Sequence, residues 1–147
     1  MAIFKSTDKG PVALSGQEEA EILALWAQND SLPNKKTRIR VAINDERKSR
    51  QNSGVTVDGI LYGSDLNSRV ELSNAYIYLV RNQGALVNVE SKSGEMFSLD
   101  IKGVEAIYDA VNGYVNAVYD AARQHYDNLK ILTKANIDSY DVKSLWP

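Results

Sequence analysis

The side chains able to do chemistry are few, and their spacing decides what they could do. His125 is the single histidine, and there is no cysteine. Disulfides, thiolate nucleophiles, cysteine-ligated metals and multi-histidine metal sites are therefore excluded by residue type. His125 with a serine and an aspartate would suffice for a hydrolase triad, but no G-x-S-x-G elbow presents a serine to it. It falls on an apolar helical seam, where a histidine sharing hydrogen bonds with a neighbouring backbone group or tyrosine is the simpler reading. Gly54, Gly59 and Gly63 lack the lysine and hydroxyl of a phosphate loop. Asp58 and Asp65 lack the alternating oxygens and closing glutamate of a calcium loop, so turn and cap duty suffices for them. Glu105, Asp109 and Asp120 are spaced as one face of a helix, which reads as a solvated face rather than an acid and base pair. No catalytic, cofactor or metal residue is expected, and the chain is read as non-enzymatic.

Charge is the next functional signal. The formal net charge of −2 hides an excess of +5 in residues 35–50, between stretches of −3 and −4. Lys35, Lys36, Arg38, Arg40, Arg47, Lys48 and Arg50 have no aromatic among them for base stacking, and Asp45 and Glu46 interrupt them. This argues against nucleic acid and for a solvated helix or a face that meets an acidic protein surface.

The elements that must position these groups follow from periodicity. Ser15-Gly16-Gln17-Glu18 has capping-box spacing, so a helix begins near Gly16 and carries Ile22, Leu25, Trp26 and Asn29 on one narrow stripe until Pro33. Residues 1–33 thus form an N-terminal helical appendage with too little apolar surface to stand alone, anchored by Trp26 on a partner or on the body of the chain. Residues 34–147 form the main domain. A helix runs from about Lys35 to Asn52 and stops at Gly54. Val55-Thr56-Val57 and Ile60-Leu61-Tyr62 flank Asp58-Gly59, the signature of a two-residue hairpin turn. Ser64 or Asp65 caps a helix through Leu66, Val70, Ser73, Ile77 and Val80 that ends at Gly84. Leu86 to Glu90 and Met96 to Leu99 make a second hairpin, and the four strands are expected in one small antiparallel sheet.

Asp100 caps a last, long helix. Val104, Tyr108, Val111, Val115, Val118, Ala122, His125, Leu129 and Leu132 recur on it at spacings of four and three. Such a seam serves a core helix or an oligomerisation helix; Tyr114, Tyr119 and Tyr126 broaden it and favour the core. Trp146 is expected to pack back on the body. The fold class is α+β: two short antiparallel hairpins packed with helices, including the long C-terminal one. Composition, 44 % hydrophobic and 24 % charged, is that of an ordinary globular domain. No membrane span or signal-peptide core is visible, so the chain is expected to be soluble and made in the cytoplasm.

From Arg38 to Leu132 the order of features resembles a domain-of-unknown-function family found in bacteriophage tail, tail-fibre and fibre-assembly proteins. The residues that carry it are the basic helix to Arg50, Gly54-Val55-Thr56-Val57-Asp58-Gly59-Ile60-Leu61-Tyr62, the helix start at Ser68 to Leu72, Met96-Phe97-Ser98-Leu99 and Val-x-x-Tyr-Val-x-x-Val from Val111 to Val118. Leu145-Trp146-Pro147 resembles the ends of tail proteins. Asn88, Glu90 and Lys92 depart from the pattern, standing where aromatics often precede the final strand. The resemblance implies a virion component that joins tail tip or baseplate to a tail fibre, with other tail, baseplate or fibre proteins as partners and no cofactor. A fibre-assembly chaperone absent from the finished particle is the alternative. Under it, Ile22, Leu25, Trp26, Arg38, Arg40 and Arg47 are the candidate partner-binding residues.

Overall fold

A computed structural model describes residues 4–7, 10–13, 15–29 and 31–147. The chain runs β1 (Phe4–Thr7), β2 (Gly10–Ala13), α1 (Gly16–Asn29), α2 (Leu32–Gln51), β3 (Val55–Val57), β4 (Ile60–Tyr62), α3 (Leu66–Arg81), β5 (Val87–Glu90), β6 (Met96–Leu99) and α4 (Ile101–Ile131), followed by a 3-10 turn at Ile137–Ser139. This is the expected α+β class. Among the described residues the strands make three separate antiparallel pairs, β1 with β2, β3 with β4 and β5 with β6.

The expected single sheet is not formed. Strands of three or four residues bury more by laying one face on a helix than by pairing with one another, and β3 lies on α4 while β5 lies on α3. One backbone bond, Lys92 N–H to the Leu61 carbonyl at 2.8 Å, joins the second and third hairpins. The first hairpin, in register from Phe4 opposite Ala13 to Thr7 opposite Gly10, was not expected; Pro11 in a strand and the shortness of both runs hide its period.

Local chemistry explains most boundaries. Asp58 and Gly59 both take positive φ, +50° and +81°, as a two-residue hairpin turn demands. Asp65 and Asp100 cap α3 and α4, accepting from Ser68 N–H at 3.1 Å and Gly103 N–H at 2.9 Å. The second helix departs from expectation: it opens at Leu32, not Lys35. Ser31 accepts from Asn34 N–H at 3.4 Å, and Pro33 sits in the first turn, where no backbone donor is needed. Pro33 therefore begins α2 rather than merely ending α1.

The long helix α4 is the spine, and its seam is core. Val104, Val111 and Val118 are fully buried, and Val115, Ala122 and Leu129 nearly so. Its N-terminal half gathers Tyr62, Leu72, Leu79 and Val89 from α3 and the hairpins around Val104, Ile107 and Val111. Its C-terminal half packs Ala122 and Leu129 against Ile43 of α2, with Val142 and Trp146 of the tail over them. Helix α2 runs antiparallel to α4: Lys36 Nζ reaches the Lys130 carbonyl at 2.9 Å, while the Arg50 carbonyl meets Tyr114 OH at 3.1 Å.

The apolar residues that mark the helical period of α3 face outward. Leu66, Val70, Ile77 and Val80 are half or more exposed, and Leu72 and Leu79 are buried instead. Two contacts set this rotation. Tyr76 stacks on Tyr108 with centroids 5.4 Å apart. Ser64, fully buried just before the helix, donates to the Gln51 carbonyl at 2.6 Å and accepts from Gly54 N–H at 2.9 Å.

Candidate docking surfaces

The capping box forms as its spacing requires: Ser15 N–H and Oγ both lie 3.0 Å from a Glu18 carboxylate oxygen, and Glu18 N–H reaches Ser15 Oγ at 3.4 Å. The helix so started presents its apolar residues to the outside. Ile22 is half-buried, but Leu23, Leu25 and Trp26 are 50 %, 55 % and 53 % exposed, and none of the described side chains of α1 belongs to either core cluster. Trp26 is thus displayed rather than folded into this chain's own core. Asn29 ends α1 with its side chain outside the described residues, as is Asp30.

The basic run of α2 is not one face. Lys35 pairs with Asp138 at 2.7 Å and Lys36 binds the end of α4, so both hold the C-terminal tail end of the domain. Arg47 is half-buried: its guanidinium donates to Gln51 Oε1 at 2.6 Å and Asn44 Oδ1 at 2.8 Å and lies 5.5 Å from the Tyr119 ring centroid. This is structural duty, and it separates Arg47 from Arg38 and Arg40, which stand on exposed turns of the helix. Arg50 bonds Glu46 at 2.8 Å. Six candidate residues therefore resolve into an apolar group on α1, an exposed basic pair on α2, and one arginine built into the α2–α4 contact.

Glu46 was legible only as a charge interrupting the basic run. It is 8 % exposed and bonded by both Arg50 and Lys143. The Lys143 hydrogen bond, followed by that of Arg50, holds its carboxyl below the ordinary glutamate value, against the opposing effect of burial. The tail is thereby tied to α2.

His125 is fully buried and anchors the same tail. Nε2 lies 2.8 Å from the Ser144 carbonyl and Nδ1 lies 2.6 Å from Tyr140 OH. A carbonyl only accepts, so Nε2 carries a hydrogen and donates to Ser144, while Nδ1 shares a hydrogen bond with the Tyr140 hydroxyl. Trp146 stacks on the imidazole with centroids 4.9 Å apart, its own Nε1–H donating to the Val142 carbonyl at 2.7 Å. Burial pushes the Tyr140 hydroxyl pKa up, with the nearby Asp141 charge adding to the effect. Both ring nitrogens are occupied by structure, as expected for a histidine on an apolar seam, and Trp146 packs back on the body.

Two grooves mark the surface. One of about 350 Å³ runs between α3 and the third hairpin, past Asp65, Glu71, Asn88 and Glu90. A wider one of about 460 Å³ lies between α2 and α4, past Arg47, Tyr119, Arg123 and Tyr126. Among the described residues no group of three or more histidine, aspartate or glutamate side chains is placed to hold a metal ion, and no described helix is long and apolar enough to cross a membrane. The outward stripe of α3 was the surface feature hardest to find. Its signal in the sequence is that α3 carries two apolar rows, Leu66-Val70-Ile77-Val80 and Leu72-Ala75-Tyr76-Leu79, of which one helix face can bury only one.

No curated protein and no solved structure matches the chain. The capped helices α3 and α4, the Asp58-Gly59 hairpin and most of α2 lie in residues 34–143, the span matched by the family model described as domain of unknown function DUF4376, and the chain belongs to that family.

Proposed function

We propose that this protein is a non-enzymatic structural component of a bacteriophage tail, joining tail tip or baseplate to a tail fibre within the virion. The observation that carries the reading is α1: a capped helix that leaves Leu23, Leu25 and Trp26 half exposed, outside both cores of a compact domain. Large apolar side chains displayed this way are anchors for a protein partner. Arg38 and Arg40, on exposed turns of the next helix, suit an acidic surface beside it. The resemblance of residues 38–132 to tail-associated domains supplies the setting. The one histidine contributes structure instead of chemistry, since both its nitrogens are bonded within the fold.

Mass spectrometry of purified virions of the encoding phage tests this. A copy number fixed relative to the major tail protein is expected, because a symmetric tail sets stoichiometry. Absence from mature particles, with the protein bound to fibres during assembly, would assign it to the assembly chaperones and overturn the structural role.

A further inference from the structure

We propose that the outward apolar stripe of α3 is the seat for α1 of a second copy of this chain. Each helix leaves an apolar face uncovered. α3 exposes Leu66, Val70, Ile77 and Val80, which with Ser73 recur at spacings of four and three, the seam of a helix that packs against another helix. α1 exposes Leu25 and Trp26 beside Ile22. Their lengths match at 14 and 16 residues.

Charge selects the pairing and its direction. α1 contains Glu18, Glu19 and Glu21 and no cation, whereas α3 carries Arg69 and Arg81 against the single Glu71. Pairing α1 with α1, or α3 with α3, sets like charges together; pairing α1 with α3 sets them opposite. Run antiparallel with Ile22 over Ile77, Trp26 falls on Ser73, the small residue of the stripe, whose hydroxyl is turned inward to the Arg69 carbonyl at 2.8 Å. Glu19 then falls beside Arg81. A large side chain over a small one is how helix surfaces interlock.

The chain cannot cover its own stripe. Tyr76, near the middle of α3, stacks on Tyr108, while Lys36 binds Lys130. These levels on α4 are 22 residues apart, about 33 Å of helix, and Leu32 lies further out because α2 runs antiparallel to α4. From Ile22, seven helical steps to Asn29 and three more at full stretch to Leu32 can span at most about 20 Å. The α1 that fits must come from another copy.

This deepens the tail reading by naming the neighbour of α1, and the two fail separately, since self-association is read on the purified chain and tail incorporation on virions. Analytical ultracentrifugation of the full-length protein is expected to show a dimer or closed ring at micromolar concentration. Trp26→Ala and Ile77→Glu, at exposed positions and with unchanged melting curves, are each expected to weaken association about a hundredfold. Arg81→Glu weakens it as well, and Glu19→Arg in the same chain restores it. A wild-type chain that stays monomeric, or an assembly that survives Trp26→Ala, would overturn the proposal.

Discussion

Removing the His125 side chain tests whether the C-terminal tail is a latch on the domain or a passive end. His125→Ala deletes a fully buried ring, two hydrogen bonds at 2.6 and 2.8 Å and the stacked face of Trp146. Each bond contributes about 1 kcal/mol net, the aromatic contact about 0.5–1.5 kcal/mol, and loss of a buried ring with partial collapse adds on the order of 1–2 kcal/mol. The sum, about 3.5–5.5 kcal/mol, is a large share of the 5–15 kcal/mol typical of a domain. His125→Phe keeps the packing and removes both side-chain bonds, but the exposed Ser144 carbonyl can turn to water and Tyr140 OH keeps the backbone carbonyl of residue 125 at 3.4 Å; about 1–2 kcal/mol is expected there. Urea denaturation gives both values, and hydrogen exchange should show residues 132–147 losing protection before the N-terminal half of α4. A loss under about 1 kcal/mol in His125→Ala, with tail protection unchanged, would refute the latch. Hydrolysis of peptidoglycan or nucleotides by the wild-type chain, lost in a folded His125→Phe variant, would refute the non-enzymatic reading.

Three further outcomes follow. Val118→Asp places a carboxylate at a fully buried position of α4, a cost of several kcal/mol, so circular dichroism should show an unfolded chain at 37 °C. The depressed Glu46 carboxyl contributes stability that is fully present above its ordinary value of 4.5 and is lost as pH falls through its lower folded value; Glu46→Gln should lower stability at pH 7 and flatten the acid limb of a stability-versus-pH curve. A chain beginning at residue 32 should keep a cooperative melting transition, because neither core uses a described side chain of α1, and should be missing from virions assembled in its presence.

What could be read from the sequence was whatever rests on local chemistry. Asp58-Gly59 permits one hairpin because few other dipeptides accept two positive φ angles, and Asp65 and Asp100 are caps whichever way their helices later turn. The α4 seam was legible because thirty residues of consistent period leave one buried face, and His125 was legible with it. Readings that needed tertiary information went differently. Pro33 ends one helix and opens the next with equal local right, and the short gap between α1 and α2 allows both. Arg47 looks like Arg38 and Arg40 until the fold brings the Tyr119 ring of α4 beside it.

The rotation of α3 is the instructive case. The row left outside is the more hydrophobic of the two, so composition alone would bury it, and the choice passes to contacts that lie outside the helix. Tyr76 has a stacking partner only if Tyr108 is on the same side, and Ser64 reaches Gln51 and Gly54 only with α3 leaving the β4 strand at one angle. Those contacts bury Leu72 and Leu79 and leave Leu66, Val70, Ile77 and Val80 outside. A second apolar row is not needed to hold this domain together, and polar residues there would serve the monomer better. The row makes physical sense when the face it forms is covered in the assembled state, which ties the least legible feature of the sequence to the surface on which assembly turns.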